Sequence, residues 1–205
     1  KKAATLFNDI LRQARKALAA EPKANMLLLR GFAKHHPYPS MYERYKLRSL
    51  CLANYPMYRG VAKLLGMELN PVVKSFAEQV EALEKNFAKY DFFFMHVKST
   101  DATGEDGDFA AKMKAIEDVD ALVPQITALQ PEALAITGDH STPSALKAHS
   151  WHPVPLLLWS RNARHDGARA FNEKACQSGG LGHLRSTDLM PLLLAHAMRL
   201  KKFGA

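Results

Sequence analysis

Cysteine is scarce in this chain. Cys51 and Cys176 are the only two, far apart and in no metal-type spacing. That excludes a disulfide-built secreted scaffold and a cysteine zinc site, and it fits a reducing, cytoplasmic setting. Long hydrophobic runs are also missing. Stretches such as Val154 to Trp159 and Pro191 to Met198 fall far short of the roughly 20 residues a membrane-spanning helix needs. No signal-peptide pattern opens the chain, so no membrane partner is expected. There is no internal repeat and no low-complexity segment. An initiator methionine is absent too. The chain begins Lys1-Lys2-Ala3-Ala4-Thr5-Leu6, inside a helical pattern, which leads us to expect a piece of a longer protein.

What is present is ordinary globular composition. The 205 residues are 47% hydrophobic and 23% charged, enough for one compact α/β domain, or a small domain plus part of another. The unusual feature is charge. There are 28 basic and 20 acidic residues, a net of +8. Through Lys74 the balance is 14 basic to 4 acidic, and from Ser75 onward it is 14 to 16. A basic excess of this kind suits nucleic acid, an acidic membrane surface or phosphorylated ligands.

Hydrophobic periodicity predicts the elements. Residues 1–20 form an amphipathic helix. Asn25 to Arg30 (NMLLLR) and Arg48 to Ala53 read as strands, and Met57 to Leu65 as a helix stopped at Gly66. Ser75-Phe76-Ala77-Glu78 has the form of a capping box opening the next helix. Asp91 to Val97 (DFFFMHV), apolar on both faces, reads as a central strand. A polar loop from Lys98 to Asp108 follows, then a helix capped by Asp108. Ala133 to Thr137 is a strand, Thr142-Pro143 opens a short helix, Val154 to Trp159 is a strand, and 188–200 a final helix. This alternation predicts an α/β fold with a mostly parallel sheet, with a junction near 70–75 separating residues 1–72 from 73–205.

The loops that follow the strands are where such sheets bind ligands, and here they are rich in metal-ligating types. Asp139-His140 pairs a carboxylate with an imidazole, which suits Mn²⁺ or Zn²⁺. The bland alternative is that Asp139 caps a helix and His140 is a surface residue. Asp101 and Glu105 stand four apart in a Gly-containing stretch that can turn both toward one ion. The alternative for them is a solvated acidic loop. His149 is either a further ligand or a histidine favoured by a helix C-terminus. Lys98 can hold a phosphate or substrate oxygen, or lie in solvent. Arg30 and Arg59 are weak candidates for bidentate oxyanion contacts. His35 and His36 read as loop residues, not ligands. Trp151 and His152 read as shaping their loop.

The stretches FMHVKSTDATGEDGDF, KAIEDVDALV, ITGDHSTPSALKAHSWHPVPLLL and FNEKACQSGGLGHLRSTDLMPLLLAHAMRLKKFGA resemble the C-terminal half of the cofactor-independent phosphoglycerate mutases of archaeal type, in the alkaline phosphatase superfamily. The segments ANMLLLRG and CLANYPMYRGVAKLLGMEL resemble the return from that family's inserted domain. The resemblance implies a three-layer α/β/α sheet. Residues 1–72 would then be the end of an inserted substrate-handling domain, and 73–205 part of the metal-binding core. It also implies interconversion of 3-phosphoglycerate and 2-phosphoglycerate, in glycolysis and gluconeogenesis, through a phosphoserine intermediate. Two divalent cations are implied, Mn²⁺ or Mg²⁺ with Zn²⁺ as a further option. By motif position Asp101, Glu105 and His149 would serve one, and Asp139 with His140 the other.

Two departures stand out. Glu105 occupies a position where the family has His; it is a harder ligand and adds negative charge. The family's nucleophilic Ser and one Asp ligand have no counterpart here, so the nucleophile is expected upstream and this chain alone is expected to be inactive. A phosphate-ester hydrolase of the same superfamily is the alternative, since one ligand set serves several chemistries. A basic nucleic-acid-binding module is a distant alternative. No recognised nucleic-acid motif supports it.

Overall fold

The computed structural model describes residues 1–34 and 36–201. His35 and the last four residues of the family-like C-terminal stretch lie outside the described residues. Contacts divide the chain into two compact units, Lys1–Pro37 and Tyr38–Ala205.

The first unit holds helix α1 (Lys2–Ala17), as its apolar stripe predicts. None of its residues is buried. Phe7 meets Phe32 with ring centroids 4.2 Å apart. Asn25 to Arg30 was expected to be a strand but has no regular structure. No described strand pairs with it, and Leu28 is 88% exposed. An apolar run without a ladder partner has nothing to hold it extended.

The second unit begins with α2 (Met41–Tyr45), closed by a full capping box in which Ser40 and Glu43 satisfy each other's backbone N–H groups. Strand β1 (Ser49–Cys51) is followed by α3 (Pro56–Leu64), with proline in its first turn, and β2 (Glu68–Leu69). Then come α4 (Phe76–Asn86) and β3 (Phe92–Phe94). Ser75 caps α4 by accepting the Glu78 N–H, and Glu78 reaches back to the Lys74 N–H. The three strands form a parallel sheet in the order β2-β1-β3, with Leu50 opposite Glu68 on one side and Phe93 on the other. The central strand is therefore β1, and the aromatic run that reads as central lies beside it. The junction expected near 70–75 falls inside this unit, whose sheet joins strands from before and after it.

Side-chain alternation along β1 builds two cores. Cys51 and Ala53 join Ala62 of α3 and Met41, Leu47, Met67 and Leu194, with Phe92 and Phe94 against them. Leu50 and Leu52 join Ala82 and Leu83 of α4, with Phe93, Met95, Phe87 and Ile126 against them. Helices thus cover both faces of the sheet, in three layers.

Three further helices follow: α5 (Ser99–Asp106), α6 (Phe109–Asp120) and α7 (Val123–Ala128). The stretch read as a polar loop is thus helical. Asp108 does cap α6, accepting the Ala111 N–H. Strands β4 (Ala133–Thr137) and β5 (Leu156–Ser160) pair antiparallel rather than extending the parallel sheet. The reason lies between them. The short helix expected after Thr142 is not formed; residues 144–147 make turns, and an antiparallel bridge joins Ser141 to Ser150. Without a crossover helix the chain doubles back as a long hairpin. The chain continues through α8 (Glu173–Cys176) to α9 (Leu189–His196).

Candidate metal centre

The ligand types cluster where α5 meets the long loop between β4 and β5. Helix α5 carries Asp101 in its first turn, where a carboxylate is favoured by the helix dipole. Glu105 stands one turn later, on the same face. The helix ends at Gly107, whose φ of 75° suits glycine. Gly104 lets α5 approach the loop closely. A Cβ there would lie 2.4 Å from the Thr142 carbonyl oxygen. The Lys112 ammonium, from α6, donates to the carbonyls of Thr100 at 2.9 Å and Thr142 at 2.8 Å. It thereby ties together the two segments that carry the candidate ligands.

Within this frame Asp101, His140 and His149 bring one donor atom each to within 4.8 Å of one another. The His149 Nε2 lies 3.5 Å from Asp101 Oδ1 and 3.4 Å from Glu105 Oε1. The imidazoles of His140 and His149 stack with centroids 3.7 Å apart. Asp139 sits at the far side of His140, with Oδ2 3.5 Å from His140 Nε2. His140 therefore stands between Asp139 and the Asp101–His149 pair. With no helix following the Asp139-His140 dipeptide, the capping role considered for Asp139 does not arise. Nor is there a helix end behind His149.

The electrostatics suit a cation. Three carboxylates, Asp101, Glu105 and Asp139, converge here. The Lys98 ammonium bonds Asp101 and lies 3.8 Å from Glu105. Partial burial pushes the Asp101 carboxyl up, but Lys98 and the Thr142 hydroxyl outweigh it and hold the group below its ordinary value. Asp139 behaves likewise: burial raises it, and the Tyr58 hydroxyl with nearby N–H groups brings it below the usual carboxylate range. Both are acceptors at neutral pH. Carboxylates and imidazoles gathered in this way fit a divalent ion.

Sequence reasoning missed several neighbours. Tyr58, on α3, donates its hydroxyl to Asp139, and its ring packs on His96 with centroids 4.1 Å apart. Burial, then Asp139, push the Tyr58 hydroxyl up, so it stays protonated. Burial holds the His96 imidazole below its ordinary value, and its Nδ1 is buried with no hydrogen-bond partner. His96 hides in an apolar run, and Thr142 reads as a helix cap. Of the oxyanion candidates, Lys98 is at the site. Arg59 instead donates to the carbonyls of Ala53 at 3.0 Å and Asn70 at 2.7 Å, stapling the ends of β1 and β2. Arg30 is exposed in the first unit. Trp151 is 86% exposed and stacks on His152.

Known proteins resemble this chain along nearly its whole length. A protein of Thermotoga neapolitana, named "Probable 2,3-bisphosphoglycerate-independent phosphoglycerate mutase", is 50% identical over all of this chain and 51% of its own length. One of the same name from Thermus thermophilus is 53% identical over 98% of this chain and 50% of its own length. The chain thus spans about half the length of the curated relatives it matches. A solved structure from Pyrococcus horikoshii matches 82% of this chain with a TM-score of 0.76 and 31% identity. The cofactor-independent phosphoglycerate mutase of Thermoplasma acidophilum shares the fold over 96% of this chain, with a TM-score of 0.66 at 22% identity. The family model of the metalloenzyme superfamily matches residues 22–196. Sequence, fold and the gathering of ligand types at the α5–loop contact lead to one assignment: the chain belongs to the metalloenzyme superfamily.

Proposed function

We propose that the protein carrying this chain is a metal-dependent phosphoglycerate mutase. It interconverts 3-phosphoglycerate and 2-phosphoglycerate through a phosphoserine intermediate, with the nucleophilic serine supplied from outside these 205 residues. The observation that carries this reading is that Asp101 on one segment and His140 and His149 on another bring one donor atom each to within 4.8 Å of one another. The naming of relatives near 50% identity supports the substrate class.

In this reading Asp101, Glu105 and His149 hold one divalent cation, and Asp139 with His140 contribute to a second. Cations bound there would neutralise charge on the transferring phosphoryl group and activate the attacking oxygen. Glu105 makes the first set harder than a histidine would and favours Mn²⁺ or Mg²⁺ over Zn²⁺. Lys98, which pairs with Asp101, would hold a substrate oxygen. The basic excess of the first third suits a substrate bearing a phosphate and a carboxylate. Cytoplasmic residence follows from the chemistry of the substrate and from the scarcity of cysteine.

The test is an assay of the complete protein with Mn²⁺ and no bisphosphoglycerate. Interconversion of the two phosphoglycerates is expected, and His140→Ala abolishes it. Release of inorganic phosphate without isomerisation would replace the mutase reading with a phosphate-ester hydrolase. Full activity in His140→Ala would remove the metal assignment.

A further inference from the structure

The Thr142 side chain touches two of the candidate ligands at once, and counting protons on these bonds decides more than the ligand set does. Thr142 is 5% exposed. Its Oγ1 lies 2.6 Å from Asp101 Oδ1 and 3.0 Å from His140 Nδ1. An ionised carboxylate only accepts, so the single hydroxyl proton goes to Asp101. Toward His140 the same oxygen has only lone pairs left. The His140 Nδ1 must then carry a proton, and in the matching neutral tautomer the lone pair is at Nε2. That nitrogen is the one 3.5 Å from Asp139 Oδ2.

The Thr142 backbone is equally fixed. Its carbonyl accepts from Lys112 at 2.8 Å and passes over Gly104, where no Cβ obstructs it. The Thr142 backbone is therefore anchored by contacts from α5 and α6 that are independent of its hydroxyl bonds.

We propose that Thr142 is a positioning residue that sets the tautomer of His140, turning Nε2 toward a cation shared with Asp139 while holding Asp101 in place for its own set. The inference rests on the metal reading above. It makes His140 a ligand through Nε2 alone, and it couples the two ligand sets through one hydroxyl.

The test uses the complete protein, labelled with ¹⁵N-histidine and free of metal. Long-range ¹H–¹⁵N spectra distinguish the two neutral tautomers, and calorimetric titration with Mn²⁺ measures affinity. The wild type is expected to show His140 protonated at Nδ1. Thr142→Val should lose that preference and bind Mn²⁺ about 10- to 100-fold more weakly, the range seen when a ligand loses its orienting partner. Thr142→Ser, which keeps the hydroxyl, should restore both. A wild-type Nε2–H tautomer overturns the proposal, even if Thr142→Val fails to fold. So does a folded Thr142→Val with wild-type tautomer and affinity. A wild type with the Nδ1–H tautomer that binds no Mn²⁺ overturns the metal reading, while the orientation of His140 by Thr142 stands supported.

Discussion

The Tyr58 hydroxyl donates to the Asp139 carboxylate, joining α3 to the loop after β4 across 81 residues of sequence. The oxygen it meets, Oδ2, is the one that faces His140 Nε2. Tyr58→Phe keeps the ring packed on His96 and removes only this bond. The expected result is a fall of about tenfold in Mn²⁺ affinity with a stability loss of about 1 kcal/mol. Calorimetric titration beside thermal unfolding checks both. Unchanged affinity would show that the hydroxyl does not orient Asp139.

Gly104→Ala sets two effects against each other. Alanine improves helix propensity by about 1 kcal/mol, but its Cβ would meet the Thr142 oxygen at 2.4 Å. Overpacking of that kind costs roughly 1–3 kcal/mol. The net expectation is a destabilised protein with weaker Mn²⁺ binding. Gly60→Ala, within α3 and with nothing within 4 Å of the added atom, should stabilise by about 0.5–1 kcal/mol. Urea unfolding of the two variants gives opposite signs if the close approach is real.

Glu105→His replaces a carboxylate with an imidazole one helical turn from Asp101. The preference between Zn²⁺ and Mn²⁺ should move toward Zn²⁺ by roughly tenfold. Competition titrations with the two ions measure it. A variant with the wild-type preference would mean that Glu105 does not face the cation.

Asp91 anchors a different part of the fold. It takes guanidinium bonds from Arg48 and Arg199, both at 3.0 Å. The Arg48 bond outweighs partial burial, and with the Arg48 backbone N–H and Arg199 it brings the carboxyl down to about 2. A depressed carboxyl stabilises the fold at pH values above its ordinary range and loses that contribution as pH falls through the folded value. Screening at the exposed Arg48 leaves about 1 kcal/mol. Asp91→Asn should therefore be less stable than wild type by about that amount at pH 7, with the gap closing as pH falls from about 4 to 2. Unfolding curves at several pH values test this, and a gap independent of pH would count against it.

Much of the site was readable from residue types. Asp101, Glu105, Asp139, His140 and His149 stand out in the sequence as carboxylates and imidazoles beside strands, and they lie near one another in the fold, Asp101 and Glu105 on α5 rather than in a loop. The local backbone was less readable. STDATGED has little helix propensity, and α5 owes its form to tertiary anchors at Gly104 and Lys112, which lie outside any local pattern. The four-residue spacing of Asp101 and Glu105 was the available helical signal. Thr142-Pro143 carries the right chemistry for a helix start, yet the Thr142 hydroxyl is claimed by Asp101, 41 residues earlier. Asn25 to Arg30 has strand composition but no partner among the described residues. Ala133 to Thr137 was legible to the residue because its pairing with β5 agrees with its local preference.

The clasp made by Lys112 and Thr142 also bears on folding. It closes a loop that contains most of α6 and all of α7 and β4, so the ligand cluster does not exist in any short stretch of the chain. It forms only when two distant segments have found each other. A divalent ion held at their junction would work as a removable cross-link: it adds its binding free energy to the native state and almost none to the unfolded chain. The midpoint of thermal unfolding would then rise with the concentration of the ion, and chelation would loosen the fold as well as silence the chemistry.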